Sequence, residues 1–228
     1  MSGAEMAVEL VPGAHALFTD RSHGNVSSVG GDGAEDGSDA RERVRRLAGV
    51  RRLARGHQVH GAVVARIGSV TEAESDAGPP SAADGQATAL TGVGAMVLTA
   101  DCMPVALGCD GAVAMLHAGW RGMAAGVLEE GVRVLRELGC DGPIVAVAGP
   151  AAGVCCYEVG PEVHDALGAR HARGSHIDLR AVAHERLLAA GAAEVRDVDA
   201  CTICDERFFS HRREGARAGR QVGVAWLS

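Results

Sequence analysis

Aromatic residues and lysine are the scarcest components of this sequence. Phe, Trp and Tyr together make up 3% of the 228 residues, and all 22 basic residues are arginine. The formal net charge is −7, and no stretch forms the basic face that a nucleic-acid-binding protein uses. We therefore expect no nucleic-acid partner, although local arginine clusters can still bind a small anion.

Long hydrophobic runs are also missing. No uncharged apolar stretch approaches the roughly 18–20 residues of a membrane helix, so we expect no membrane partner. The N-terminal segment, MSGAEMAVELVPGAHALF, lacks both the positively charged part and the apolar part of a secretory signal. These absences predict a cytoplasmic protein.

The cysteine count excludes a complete disulfide framework within one chain, because seven is an odd number. In a cytoplasmic protein the cysteines are expected to be thiols. We interpret the adjacent pair Cys155 and Cys156 as structural thiols. We interpret Cys201 and Cys204 as buried thiols, because a single C-x-x-C pair is weak evidence for zinc. A functional cysteine is then either a metal ligand or a nucleophile.

The pattern of apolar residues predicts one α+β domain over residues 1–228, with mixed β-sheets flanked by helices. The predicted strands cover residues 61–67, 94–100, 104–108, 112–118, 144–150, 194–200 and 221–227. Four helices are predicted. The first follows an N-cap at Ser38 or Asp39 and ends at residue 54, and the second covers residues 122–138 and is ended by Gly139. The third begins at Pro161, and the fourth covers residues 176–191.

The segment LTADCMPVALGCDGAVAMLHAGWRG places reactive side chains around a predicted hairpin. If Cys109 and Asp110 are the central residues of its turn, Cys102 and His117 lie directly opposite each other, with Cβ atoms roughly 4.5–5.5 Å apart. If Asp110 and Gly111 form the turn instead, the register shifts by two residues and both side chains stay on the same face. In either register the thiol and the imidazole can meet.

A thiol beside an imidazole permits two chemistries. Cys102 and His117 can bind a metal such as zinc, with a further ligand from His57 or His60 in GHQVHG, and such a set leaves one zinc position open for catalysis. Alternatively, His117 can activate Cys102 as a nucleophile. Asp101 can orient a ligand or accept a proton. The competing structural interpretation is a buried cysteine and a hydrogen-bonded core histidine, but the joint placement favours a site.

Arginines near this segment predict an anion site. Arg121 falls at the N-terminus of the helix predicted to follow the hairpin, where free backbone N–H groups favour an anion. In FFSHRR, near the C-terminus, Ser210, Arg212 and Arg213 either complete a phosphate pocket or form an ordinary solvated edge.

Six motifs together resemble one known family. TADCMPVAL, HAGWRG, GPAAGVCCYEVG, DLRAVAHERL, CTICDERFFSHRR and GRQVGVAWL are similar, in order and spacing, to those of the bacterial laccase-domain proteins. This family is also called multicopper polyphenol oxidase, peptidoglycan-editing factor, or purine nucleoside phosphorylase of the laccase-domain type. The resemblance runs from about Phe18 to Leu227.

This resemblance implies a cytoplasmic zinc enzyme with a fold similar to that of cysteine hydrolases. The implied activity is phosphorolysis of purine nucleosides (adenosine, inosine, guanosine and methylthioadenosine), together with deamination of adenosine. A purine nucleoside and phosphate are therefore the expected partners. The zinc ligands of the family correspond to His60, Cys102 and His117.

Together, the residue pattern and the resemblance give a set of expected site residues. The expected catalytic residues are Cys102, His117 and Asp101, and the expected substrate- or phosphate-binding residues are Arg121, Arg21, Ser210, Arg212 and Arg213. One departure from the family begins at Arg21, where RSHGNVSSVGGDG replaces the usual Arg-x-Gly-Gly-Val-Ser and its following Asn-Leu segment. We expect altered substrate contacts from this region.

Three other functions stay open. Multicopper oxidation of polyphenols needs several imidazoles, usually in closely spaced pairs, and none of the ten histidines forms a His-x-His pair, so one metal ion is favoured over a copper cluster. A metal-free cysteine hydrolase or deamidase would use Cys102 and His117. A non-catalytic binding protein would keep the metal for stability alone.

Overall fold

Two β-sheets form the centre of the computed structural model, which describes residues 6–27, 37–69 and 81–228. The strands are β1 (Met6–Val11), β2 (Ala14–Phe18), β3 (Arg52–Ala54), β4 (Val64–Arg66), β5 (Gly85–Thr88), β6 (Val93–Thr99), β7 (Met103–Cys109), β8 (Ala112–Ala118), β9 (Val145–Ala148), β10 (Ala172–Arg173), β11 (His176–Ile177), β12 (Glu194–Asp197) and β13 (Gln221–Leu227). One sheet has five strands in the order β1-β2-β13-β6-β3, the other has six in the order β12-β9-β7-β8-β5-β4, and β10 pairs with β11. The helices are α1 (Ser38–Leu47), α2 (Trp120–Ala125), α3 (Val127–Glu137), α4 (Pro161–Leu167), α5 (Leu179–Ala189) and α6 (His211–Glu214).

The β7–β8 hairpin is buried on both faces, which explains its nearly continuous apolar sequence. Successive side chains point to opposite faces. Val105 and Leu107 belong to the core that includes α3 and α5, whereas Ala106 and Met115 belong to the core that includes β2 and β13. A third cluster, around Val44 of α1, covers the outer face of the five-stranded sheet. The layers therefore follow the order α1, five-stranded sheet, six-stranded sheet, and then α3 with α5.

The predicted α+β class with mixed sheets is confirmed. Each large sheet contains both parallel and antiparallel strand pairs. In the five-stranded sheet β3–β6 is parallel and β13–β6 is antiparallel. In the six-stranded sheet β4–β5 is parallel and β5–β8 is antiparallel. Each of the seven predicted strands contains an observed strand or overlaps it, and α4 begins at Pro161 as expected. That residues 1–228 form one domain stays a prediction.

The helix predicted over residues 122–138 has the wrong limits. It begins two residues earlier, at Trp120, and it is divided into α2 and α3 at Gly126. Gly126 adopts a φ of 96°, a left-handed conformation that breaks the helical path and that glycine adopts without steric cost. Gly139, with a φ of 94°, follows the end of α3 as predicted.

The helix predicted to run as far as residue 54 is also wrong in its limits. α1 ends at Leu47, and its N-cap is Gly37 rather than Ser38 or Asp39. The residues beyond it form β3, which pairs in parallel with β6. Pairing with a central strand overrides the local helical preference of an arginine-rich segment.

The turn of the hairpin follows the alternative register. Cys109 pairs with Ala112 and Pro104 pairs with His117, so Asp110 and Gly111 form the turn. Gly111 has a φ of 79°, which this position of the turn favours and which glycine supplies. The directly opposed placement of Cys102 and His117 is therefore wrong, and Cys102 lies just before β7.

Two expectations about cysteines are wrong. Cys109 and Cys140 are joined by a disulfide. This pairing is possible because α3 packs against β7, so that Cys140, three residues after the end of α3, lies beside Cys109 at the end of β7. Cys201 is only half-buried and Cys204 is exposed, since their turn lies at the surface.

None of the helices in the described residues combines the length and the apolar composition that a membrane-spanning helix needs.

Gly149 lies where the two sheets pack closely together. A Cβ at this position would lie 2.5 Å from the ring of Phe18 and 2.8 Å from Pro104. We expect Gly149→Ala to lower the free energy of unfolding by about 1–3 kcal/mol, because the added methyl group overpacks the core. Gly142→Ala is the matched control, because no atom lies within 4 Å of its Cβ position, and it should change stability by less than about 0.5 kcal/mol. Urea denaturation measures both variants, and equal stabilities would contradict the packing.

Candidate metal centre and active site

Three potential metal ligands meet at one end of the β7–β8 hairpin. Cys102 directly precedes β7, His117 lies near the end of β8, and His60 lies in the loop before β4. Their ligand atoms are all within 4.8 Å of one another, and His60 is exposed, Cys102 half-buried and His117 buried. The ring centroids of His60 and His117 are 4.9 Å apart in an edge-to-face arrangement. The structure brings together the three residues named as ligands by the resemblance, whereas His57 is not in the group.

The loop that carries His60 is held by side chains from two other segments. Gln58 forms two hydrogen bonds of 2.8 Å with the backbone of Leu98 in β6. The carboxylate of Asp84 accepts hydrogen bonds of 2.7–3.1 Å from the three consecutive N–H groups of residues 59–61. These contacts fix the position of His60 relative to both sheets.

Asp84 is also the partner of His117. Its carboxylate is fully buried, and its Oδ1 lies 2.8 Å from Nδ1 of the His117 ring. This contact leaves Nε2 of His117 to face a metal or the Cys102 thiol, and a carboxylate in this position is typical of metal-binding histidines. The sequence alone does not indicate Asp84, because a single acidic residue among small residues, SAADGQ, carries no motif.

The electrostatics of the group favour a thiolate. Burial by itself raises the pKa of Cys102. The charge of His117 and the hydrogen bonds from His117 and His60 lower this pKa by more than burial raises it, so that the resulting pKa is about 6. Burial lowers the pKa of His117, while the charge of Cys102 and the hydrogen bond to Asp84 raise it, to about 9. A thiolate is the form that a metal ligand and a nucleophile both require.

Backbone strain is concentrated at this site. Among the described residues, His60 and Asp101 are the only non-glycine residues with a positive φ, at 60° and 90°. Such conformations cost on the order of 1–3 kcal/mol and persist where surrounding contacts hold them. Close approach of the backbone is required as well, because a Cβ on Gly119 would lie 2.8 Å from the Cys102 sulfur.

Asp101 is engaged in the framework of the site. Its Oδ1 accepts a hydrogen bond of 2.7 Å from the hydroxyl of Thr202, and its Oδ2 accepts one of 2.7 Å from the backbone N–H of Arg212. Its backbone carbonyl accepts a further bond from Ala152. Asp101 thus ties the start of β7 to two other segments, and its role as a proton acceptor stays a prediction.

Tyr157 and two arginines lie beside the metal-ligand group. The Arg212 guanidinium lies 5.3 Å from the centre of the Tyr157 ring, and that of Arg121 lies 4.2 Å from the Trp120 ring. Burial and the nearby charge of Cys102 raise the pKa of Tyr157 to about 12, against the opposing charges of Arg212 and Arg121. The phenol therefore stays protonated at neutral pH, and both arginines are close enough to it to contribute to the charge of the site.

The other residues predicted to bind substrate are held by internal contacts. Arg21 donates to the Phe208 carbonyl and pairs with Glu214. Arg213 donates to the carbonyls of Thr202, Ile203 and Phe208 and also pairs with Glu214. Ser210 is fully buried and caps α6 by accepting a hydrogen bond from the backbone of Arg213. Their predicted contacts with substrate stay predictions.

The region of altered sequence after Arg21 is described as far as Ser27, and residues 28–36 lie outside the described part of the chain. Within it, the side-chain oxygen of Asn25 accepts hydrogen bonds from the backbone of Ser27 and Arg220.

The group of His60, Cys102 and His117 is identified by its potential metal ligands and not by the size of a cavity. A cavity of about 740 Å³ is lined by Gly153, by residues of α5 and by Cys201. None of His60, Cys102 and His117 lines it.

The family model described as multi-copper polyphenol oxidoreductase laccase matches residues 17–228. The chain belongs to this family. A purine nucleoside phosphorylase of Xylella fastidiosa (strain Temecula1) is 36% identical over 234 residues, which cover 95% of this chain and 88% of that protein. Purine nucleoside phosphorylase PA4543 of Pseudomonas aeruginosa is 41% identical over 187 residues, which cover 75% of this chain and 72% of that protein.

Solved structures show the same architecture. Protein NMB0706 of Neisseria meningitidis, described as a member of family DUF152, superimposes with a TM-score of 0.83 at 31% identity and covers 98% of this chain and 99% of that one. YlmD from Geobacillus stearothermophilus also gives a TM-score of 0.83, at 29% identity, and covers 96% of this chain and 94% of that one. The laccase-domain resemblance inferred from the six motifs is therefore confirmed.

The pKa of Cys102 can be tested in metal-free protein. After removal of metal with a chelator, the rate of alkylation of Cys102 by iodoacetamide should rise with pH and reach half its maximum at about pH 6, because only the thiolate reacts. In His117→Ala this midpoint should move upward, since the burial that raises the pKa is no longer opposed by a charged imidazole. Peptide mass spectrometry gives the rate at Cys102. A midpoint near 8.5, the value of a free thiol, in the unsubstituted protein would contradict the described pairing.

The substitution Asp84→Asn tests whether the Asp84 carboxylate, which contacts the His117 ring and the backbone of residues 59–61, supports metal binding. We expect roughly 10- to 100-fold weaker metal binding, the usual effect of removing such a partner of a metal-binding histidine. Competition with a metal-sensitive dye measures the affinity, and His57→Ala is the control, because His57 lies outside the ligand group. Equal affinity in Asp84→Asn and the unsubstituted protein would show that Asp84 does not support the ligands.

Proposed function

We propose that this chain is a zinc-dependent purine nucleoside phosphorylase that acts on adenosine, inosine, guanosine and methylthioadenosine and that also deaminates adenosine. The observation that carries this proposal is the group of His60, Cys102 and His117, with ligand atoms within 4.8 Å of one another. The names of the Xylella fastidiosa and Pseudomonas aeruginosa relatives, both purine nucleoside phosphorylases, support the substrate class.

The donor set fits one zinc ion. A thiolate and two imidazoles are ligands that zinc accepts, and three protein ligands leave a position for water or substrate. The Asp84–His117 hydrogen bond supplies the supporting carboxylate that such a site uses. The family description names copper chemistry, but a multicopper centre needs more imidazoles than the two in this group. When bound, zinc supplies Lewis-acid activation of a water or a substrate oxygen.

The protein's own side chains bind and orient the reactants. In phosphorolysis a phosphate oxygen forms a bond to the anomeric carbon, the bond from that carbon to the purine nitrogen breaks, and the purine leaves with the electron pair and takes up a proton. Arg121 and Arg212 provide positive charge for the phosphate on the side of the site where Tyr157 lies. Tyr157 stays protonated and can donate a hydrogen bond to the substrate.

One further observation favours a second candidate function. Cys102, His117 and Asp84 form a chain of contacts in the order of a nucleophile, a base and an orienting carboxylate. This arrangement suits a metal-free cysteine hydrolase or deamidase. Metal content separates the two functions, because the loss of one equivalent of zinc in Cys102→Ala supports the phosphorylase, whereas activity that survives complete removal of metal supports the hydrolase.

The phosphorylase activity itself is directly testable. Purified protein that contains zinc should release hypoxanthine and ribose 1-phosphate from inosine and phosphate, and His117→Ala should abolish this release because it removes a ligand. His57→Ala, three residues before His60, should keep the activity. Chromatography of the two products measures the reaction. Absence of turnover with all four nucleosides in zinc-loaded protein would favour a non-catalytic binding protein.

Arg121 separates the two proposed reactions. Loss of a charge-assisted hydrogen bond costs about 1.5–3 kcal/mol, so Arg121→Ala should raise the KM for phosphate roughly 10- to 100-fold. Arg121→Lys should also weaken phosphate binding, because it lacks the planar fork of the guanidinium. Deamination of adenosine needs no phosphate and should fall less, and bound zinc should stay constant. If both reactions fall equally, Arg121 contacts the nucleoside instead, and if neither falls it contacts neither reactant.

A further inference from the structure

A second group of potential metal ligands lies outside the candidate active site. Cys155, Cys156, Cys201 and Cys204 come from two segments of the chain, and their sulfur atoms are all within 4.8 Å of one another. The sulfur of Cys204 lies 3.2 Å from that of Cys155 and 2.7 Å from that of Cys156. In a tetrahedral zinc site, bonds of about 2.3 Å place the sulfurs roughly 3.8 Å apart, so four sulfurs within 4.8 Å of one another can reach a single ion through small side-chain movements.

The backbone around Cys201 is arranged for a thiolate. Its sulfur accepts a hydrogen bond of 3.2 Å from the backbone N–H of Gly153, which lies in the other segment. Hydrogen bonds from the backbone to a ligating sulfur position the ligand and offset its negative charge.

Both segments are fixed relative to each other without the sulfurs. Ala151 and Cys201 form a parallel bridge, and the guanidinium of Arg213 donates to the carbonyls of Thr202 and Ile203. On the other side of Cys201, Arg180 donates to the carbonyls of Val198 and Ala200. The protein therefore holds the four sulfurs in place through backbone contacts that do not involve them.

We propose that Cys155, Cys156, Cys201 and Cys204 bind a structural Zn²⁺, separate from the metal of His60, Cys102 and His117. A set of four thiolates with no open position is typical of structural zinc. Binding also accounts for the exposure of Cys155 and Cys204, since a metal protects surface thiols that are otherwise open to oxidation.

The place of this group in the fold indicates what the metal stabilises. One segment continues directly into Tyr157, and the other contains Thr202, whose hydroxyl bonds to Asp101. The zinc therefore joins the two segments that form one wall of the candidate active site. It contributes by positioning and contacts no reactant.

Metal content gives the first test, in protein purified under reducing and anaerobic conditions. Cys102→Ala removes a ligand of the other group, and the zinc that stays with this variant should be one equivalent per chain. Adding Cys156→Ser and Cys204→Ser should remove that equivalent. Because both proteins lack Cys102, the difference between them does not depend on the proposed phosphorylase activity or on its metal. Equal zinc content in the two proteins, or iron in place of zinc, would overturn the proposal.

Thiol reactivity in the unsubstituted protein gives a second test, which does not depend on how a variant folds. Cys155 and Cys204 should resist alkylation until a strong chelator is added, and then react rapidly. Rapid alkylation without a chelator would overturn the proposal, and so would peptide mapping that finds a disulfide between Cys156 and Cys204 in the anaerobic protein. Replacement of zinc by Co²⁺ should give the intense visible absorption of a tetrahedral thiolate site in Cys102→Ala, and this absorption should be lost in the variant that also lacks Cys156 and Cys204.

Discussion

The buried contact between Asp84 and His117 is the constraint on which the rest of the candidate site depends. Both side chains are almost completely excluded from solvent, and removing one member of a buried charged pair typically costs about 3–5 kcal/mol. The same carboxylate binds the backbone of residues 59–61. One side chain at the start of β5 therefore sets the orientation of one imidazole and the backbone position of the other.

The two-sheet core explains why such a site lies at the end of the hairpin. β7 and β8 are packed on one face by helices and on the other by a second sheet, so their interiors have room only for apolar side chains. Polar chemistry begins where the strands end, at Cys102 and His117. The strained backbone of Asp101 and His60 occurs at this boundary, where contacts with Thr202, Arg212 and Asp84 hold it.

The family name and the residues of this chain point to different metal chemistry. Redox reactions of a multicopper centre require several metal ions and many imidazole ligands, whereas the group around Cys102 has two imidazoles and one thiol. A single Lewis-acidic ion beside Arg121, Arg212 and Tyr157 suits group transfer to or from a phosphate. The four-cysteine group adds a site of a different type, closed rather than open, whose proposed role is to hold the wall that contains Tyr157.

Local pattern determined much of this protein. Apolar runs and glycine positions located seven strands, distributed over both sheets, and six motifs identified the family because their residues and spacing are specific. Other features depended on segments far apart in the chain. Asp84 is 33 residues from His117, the two cysteine pairs of the second group are separated by more than 40 residues, and β3 forms only because β6 offers it a partner. Such contacts follow from how layers pack, since a hydrogen bond or a ligand set needs proximity in space and leaves no periodic signal along the chain.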